Sequence, residues 1–486
     1  MVRSSSELLR RARNDMENQS MKNFVFLSLL AAAGFSGCGA AASSPRKSSE
    51  SLYAILGVST VDVEKGTIIL DQTVLISDDR IEKIGSRAEV KIPGNAALVD
   101  GHGLYLMPGL VDAHVHYFEA PVFGRALIAN GVLLVRDMGM SNEYILPLRD
   151  QLNRGEILGP EMIATGVQLD GAPAVIPSIA VGLSTPEEGR LAVRRQAEAG
   201  VDMIKVYSKL ERDVFLAILD EAKQRGLKVA GHVPDSIYIE EAAQAGLLSS
   251  EHWFGFEKII ARLLGDPVPF IYTGMGSQAG YLSRLDEVNP ADLEEVYRRL
   301  RASGLTVVPT VVTFKDFPNI NDLEAGNFMG SDYISPALLS MWKTQWAAQD
   351  EIPDVIWQSW AQMVNGLNRA GVPLMVGTDL TVPGMIPGYS VHEEMAIWQE
   401  AGIPARDILR SATLTPVRFM GLEERLGSIQ EGKVASMLLV RGNPLEDIRN
   451  AGQIESVFLR GRYFSRGDLD RLLEEARDLA QVPIPG

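Results

Sequence analysis

The sequence predicts an α/β protein: a (β/α)8 barrel with a small β-sandwich domain built from the segments on either side of it. Two observations carry the prediction. From Pro108 onward, eight apolar, strand-like runs alternate with amphipathic helical stretches, the rhythm of repeated strand–helix units. Before and after that region the pattern is strand and turn alone. Composition agrees. Of 486 residues, 46% are hydrophobic and 22% charged, which excludes a disordered chain, a collagen and a coiled coil.

Taken in order, residues 1–50 read as an address and tether rather than a fold. Lys22 precedes an apolar run from Phe24 to Phe35, which is too short to span a bilayer. Small residues then lead to Cys38, and the stretch SSPRKSSESL is polar and flexible in composition. Residues 52–106 are short β-rich runs broken by Gly, Asp and Asn. Residues 107–426 form the barrel. Its strand candidates are 110–116, 131–139, 161–169, 202–208, 228–233, 247–253, 305–312 and 373–380. They are almost continuously apolar, as strands buried on both faces should be. The intervening helices have readable ends. Asn289 caps one, Pro290 takes its first position and Gly304 stops it, while Gly200 and Gly226 stop two others. The β pattern returns over 427–465 and is expected to pair with 52–106. A charged helix and tail, 466–486, closes the chain.

Charge and cysteine narrow the function classes. Lys+Arg number 46 against 62 Asp+Glu, a net charge of −16. With no basic run, nucleic acid is not expected as a partner. The single cysteine, Cys38, excludes an intrachain disulfide and a CxxC zinc site. Any metal must therefore be held by His, carboxylate or modified lysine.

The histidines point to such a site. His114 and His116 alternate on one side of the first barrel strand. His232 and His252 lie near the ends of the fifth and sixth strands, and Asp379 lies near the end of the eighth. The carboxyl ends of barrel strands converge on one mouth, so five metal-competent side chains would meet there. Lys205 sits within the apolar strand DMIKVYS. A buried ammonium must be paired, neutral or modified. The choices are an ordinary ion pair, to Asp379 or Asp202, or carboxylation to an anion that bridges cations.

The motifs PGLVDAHVH, VRDMG, IKVYS, GHV, EHW and GTD, with ATLTPVRFMGLEERLGSIQEGKVASMLLV after them, resemble the metal-dependent amidohydrolase superfamily, more narrowly its imidazolonepropionase/prolidase-like branch. The resemblance covers about 52–465 and departs at Ala435-Ser436, where the family often has Ala-Asp-Leu. It implies a TIM barrel with two divalent metal ions, zinc first, with manganese or cobalt also compatible with such ligands. His114, His116 and Asp379 would hold one metal and His232 and His252 the other. Carboxylated Lys205 and a hydroxide would bridge them. Asp379 would act as general base and then acid. The implied activity is hydrolysis of C–N bonds, in a dipeptide, an N-acyl amino acid or a cyclic amide. Lactone, ester or phosphoester hydrolysis on the same site, and a noncatalytic metal-binding lipoprotein, are the alternatives. Residues 21–38 resemble a bacterial lipoprotein signal, with Phe35 where Leu is usual. This implies lipidation at Cys38, contact with the membrane by that anchor only, and a place in the bacterial cell envelope.

Further residues carry weaker signals. Tyr207 should share a side with Lys205 and could donate to a tetrahedral oxyanion. Arg136 ends the second strand and could grip a substrate carboxylate. His392 reads as structural and His102 as part of a turn. Trp342, Trp346, Trp357 and Trp360 read first as helix packing on the barrel, and second as an aromatic lid. The partner expected is a small-molecule substrate, with a homo-oligomer as a base-rate expectation.

Overall fold

The computed structural model describes residues 51–268, 280–315, 328, 330–346 and 353–482. Cys38, with the rest of 1–50, lies outside the described residues. No described helix is long and apolar enough to cross a membrane.

The chain opens with β1 (Leu52–Asp62), β2 (Thr67–Ser77), β3 (Arg80–Gly85), β4 (Ala97–Asp100) and β5 (Tyr105–Pro108). Alternation sends Val74 and Ile76 into an apolar cluster, and an irregularity in β1 between Ile55 and Val58 lets both of those join it. One residue, Gly109, separates β5 from β6 (Leu110–Val115). A Cβ there would stand 2.6 Å from Leu133 Cδ1, so the passage from one sheet to the next requires glycine. β6 pairs in parallel with β7 (Val132–Asp137), which pairs with β8 (Glu161–Ala164). All of β6 and β7 is buried, as a sheet covered on both faces demands.

A second parallel sheet holds β9 (Gln168–Gly171), β10 (Ala180–Leu183), β11 (Met203–Val206), β12 (Lys228–Gly231), β13 (Leu247–Glu251) and β14 (Thr306–Val308). Its order is β10-β9-β11-β12-β13-β14. Here the structure departs from the sequence expectation twice. The run 161–169 does not form one strand. It breaks at Gly166, whose φ is +65°, and restarts as β9. The run 373–380 forms no regular strand either. Its backbone bonds on one side to Val307, through Pro373 O at 3.0 Å and Met375 N at 3.0 Å. On the other side Val376 O accepts from Ala113 N at 2.9 Å and Asp379 N donates to His114 O at 2.8 Å. A residue without an N–H at Pro373 and a left-handed Asp379, φ +55°, interrupt the ladder.

Helix ends follow their capping residues. Asn289 Oδ1 accepts from Ala291 N at 3.0 Å, and Gly304 exits with φ +76°. Thr185 and Glu188 form a reciprocal capping box. The C-terminal strands β15 (Met437–Val440), β16 (Ile454–Leu459) and β17 (Arg462–Ser465) return to the first sheet. β15 lies antiparallel to β5. The resulting order is β17-β16-β15-β5-β1-β2-β3, with β4 beside β1. Pairing therefore runs through eight strands because β5 pairs on both sides, with β1 and with β15, and residues of β1, β2, β3, β15 and β16 share one apolar cluster. The last helix, Arg466–Ala480, lies on helix Ala120–Ala129, with Arg125 Nε 2.8 Å from Glu475 Oε2.

Candidate active site

His114 belongs to β6 and His116 follows it. Both Nε2 atoms stand 3.3 Å from Asp379 Oδ1. His252 follows β13, and its Nε2 is 3.7 Å from Asp379 Oδ2. His232 follows β12, with its ring centroid 5.1 Å from that of His252. Four imidazoles, at the carboxyl ends of β6, β12 and β13, and one carboxylate, near the end of the run 373–380, thus meet across 266 positions of sequence. His114, His252 and Asp379 offer ligand atoms within 4.8 Å of one another, a group that can hold a metal ion.

Each ring is fixed by its other nitrogen. His114 Nδ1 is 2.8 Å from Glu251 Oε2, and His116 Nδ1 donates to Gly139 O at 2.9 Å. His232 Nδ1 is 2.8 Å from Ser208 Oγ, and His252 Nδ1 is 2.7 Å from Thr310 Oγ1. Such contacts set the tautomer and turn Nε2 inward. Burial pushes the His114 and His232 imidazoliums well below their ordinary range, and His252 down to about 4. These three rings favour the neutral form that a metal needs, whereas on His116 burial acts downward but the bond to Asp379 prevails and raises it. For Asp379, burial acts upward, but the pull of His252, His116 and Lys205 prevails and holds it at about 2. His252, Thr310 and Asp379 all carry left-handed backbones, with φ of 59°, 45° and 55°. Such strain concentrates where surrounding structure over-determines a site.

Lys205 lies fully buried on β11, and its Nζ has no hydrogen-bond partner among the described residues. Neither ion pair suggested by the sequence forms. Asp202 instead pairs with Arg149 at 3.0 Å. Burial, the largest influence, brings the Lys205 ammonium down to about 8. Tyr207, on the same side, stacks on His232 with centroids 4.0 Å apart, and Lys205 Nζ is 5.7 Å from its ring centre.

Arg136 does not face a substrate mouth. It is fully buried. Its Nε donates to Ala113 O at 2.6 Å, and its Nη2 reaches both Glu251 oxygens at 2.9 Å. The substrate-gripping role suggested by the sequence is therefore replaced by a structural one, because every edge of the guanidinium is engaged inside the protein. Glu251 is the residue that sequence reasoning missed. Its signal was present: a carboxylate inside an apolar strand, directly before His252.

The remaining candidates stand apart from this cluster. His102 pairs with exposed Asp100 at 2.7 Å, and His392 Nε2 is 2.9 Å from Asn130 O. Trp342 and Trp360 are fully buried and donate to Thr381 O and Pro309 O at 2.7 and 2.9 Å. They pack the interior and do not form a lid. Trp357 is half-buried, and the side chain of Trp346 lies outside the described residues.

Comparison with known proteins places this geometry in a family. Residues 105–463 match the model of the "Amidohydrolase family". The chain is 25% identical over 468 residues to ochratoxinase of Aspergillus niger, covering 85% of this chain and 87% of that protein. It is similar to a putative prolidase from Bifidobacterium longum, with 25% identity, a TM-score of 0.62 and coverage of 87% and 98% of the two chains. Bottromycin amidohydrolase shares the fold, with a TM-score of 0.71, 21% identity and coverage of 96% and 97%. With its family model spanning most of the sequence, the chain belongs to the amidohydrolase family and is a hydrolase that acts on carbon–nitrogen bonds.

Proposed function

We propose that this protein is a metal-dependent hydrolase of amide bonds in dipeptides or N-acyl amino acids, working at the mouth of a closed (β/α)8 barrel. The observation that carries the reading is that all four imidazoles are held at Nδ1, with three Nε2 atoms facing Asp379. The residues fit a divalent metal. His114 Nε2 and Lys205 Nζ are buried without hydrogen-bond partners among the described residues, a costly arrangement unless a ligand or a modification completes it. His114, His116 and Asp379 would hold one ion, His232 and His252 a second, and Lys205 as its carbamate would join the two. Imidazole and carboxylate donors suit zinc, manganese or cobalt.

Bound there, the metal supplies an acidified water as nucleophile and polarises the scissile carbonyl. Asp379, held ionised, accepts the proton of the attacking water and returns it to the leaving nitrogen. Tyr207, resting on His232, donates its hydroxyl hydrogen to the developing oxyanion. Backbone bonds from residues 373–380 to both β6 and β14 support closure of the barrel. The likeness to ochratoxinase and to a prolidase, each 25% identical, supports an amide substrate. The segment 21–38 supports lipidation at Cys38 and a place in the cell envelope, which Cys38→Ser should abolish by releasing the protein from the membrane fraction.

The test is metal analysis of the purified protein, joined to a screen of dipeptides, N-acyl amino acids, cyclic amides and lactones. Asp379→Asn and His232→Ala should each lower turnover about 100-fold or more. Activity that survives both substitutions would refute the reading.

A further inference from the structure

Two strained residues flank Leu380. Asp379 has φ +55° and Thr381 has φ +129°. Left-handed backbones at non-glycine residues are strained and persist only under restraint. Part of the restraint comes from the strands, through Asp379 N to His114 O and His116 N to Leu380 O, both 2.8 Å. Beyond the strained turn, Thr381 O accepts from the indole N–H of Trp342 at 2.7 Å. Trp342 is fully buried, so it is fixed by packing before it makes that bond.

Trp342 belongs to the helix Pro336–Trp346. The start of this helix is anchored as well. Ser335 Oγ accepts from Leu338 N at 3.0 Å, a helix-capping bond, and donates to Glu119 Oε1. Ser335 and Glu119 are both more than nine-tenths buried, and a carboxylate at a helix N-terminus is well placed. Glu119 lies three residues beyond His116, and Thr381 two beyond Asp379. One helix therefore touches both segments that carry the paired His116 and Asp379.

We propose that the helix Pro336–Trp346 is a positioning strut for the catalytic carboxylate. Trp342, Ser335 and Glu119 act as positioning residues through the backbone of the turn after Asp379 and the loop after His116. The inference rests on the function proposed above for the reaction it serves, but not for its structural arm. Trp342→Phe keeps most of the buried ring and removes the N–H. Hydrogen exchange at the amide of Val382, which bonds Asp379 O at 3.0 Å, should then quicken about tenfold or more, while β-sheet amides stay unchanged. A displaced catalytic group slows the chemistry more than binding, so kcat should fall about tenfold with KM within about twofold.

Glu119→Ala should act in the same direction, and Glu119→Gln, which still accepts from Ser335, should restore both readouts. This pair decides the matter if Trp342→Phe folds poorly. Unchanged exchange at residues 380–385, or unchanged kcat in an active enzyme, would overturn the strut. A wild-type protein that holds no metal and cleaves no amide would instead defeat the proposed function, and the exchange measurement would still judge the strut.

Discussion

His114 owes its place to a carboxylate that sequence motifs do not advertise. Glu251 bridges the imidazole and the Arg136 guanidinium, and all three are fully buried. Removing one charge of a buried pair leaves the other uncompensated, at a cost of about 3–5 kcal/mol. Loss of a partner behind a metal-binding histidine typically weakens metal affinity about 10- to 100-fold. Glu251→Gln should therefore lower both the midpoint of denaturant unfolding and the metal retained after dialysis. Lys205 gives a pH signature of its own. Its ammonium falls from an ordinary 10.5 to about 8 through burial, so between those values the unfolded chain binds more protons than the folded one. Stability of the metal-free, CO2-depleted protein should rise with pH across that window, by about 3 kcal/mol in total. Lys205→Met should flatten the rise, as read from urea unfolding at pH 7.5 and 10.5.

Among the elements, β12 shows how a motif's glycine serves the site. Gly231 has φ +143°, and a Cβ there would lie 2.1 Å from Val206 O on neighbouring β11. The close approach of these two strands sets His232 beside Tyr207. Gly231→Ala must separate them and strain the backbone, costing about 1–3 kcal/mol, and should lower metal retention together with stability. A cap made locally acts differently. Thr185→Ala should cost about 1 kcal/mol without altering metal content, since exposed Thr185 makes its capping bonds with Glu188 alone. Metal analysis beside a urea titration separates the two cases.

For the whole molecule, a metal that binds only the folded state adds stability by mass action, about 4 kcal/mol at a thousandfold excess over its dissociation constant. Chelation should therefore abolish turnover and lower the melting temperature together, and readdition of zinc, manganese or cobalt should restore both. A chelated protein with unchanged melting behaviour would show that the cluster is not a metal site.

The strand–helix rhythm after Pro108 and the burial of β6 and β7 are legible because parallel strands covered on both faces must be apolar throughout. The caps at Asn289, Gly304, Gly200 and Gly226 are legible because their chemistry is local. His114, His116, His232, His252 and Asp379 could be picked out because strand ends in a barrel are a geometric class of position. Arg136 was misread because its sequence gives a charge but not a neighbour. Only packing brings Glu251, 115 residues later, onto it. The same holds for the break at Gly166, for the strand-like run 373–380 held by bridges alone, and for the pairing of β5 with β15. Sequence by itself determined what lies within a helical turn or along one strand, where side-chain chemistry and backbone geometry act over a few residues. Tertiary structure decided which distant groups share one buried space, because a charge, a ring or a strand edge takes its partner from whatever the folded chain sets beside it.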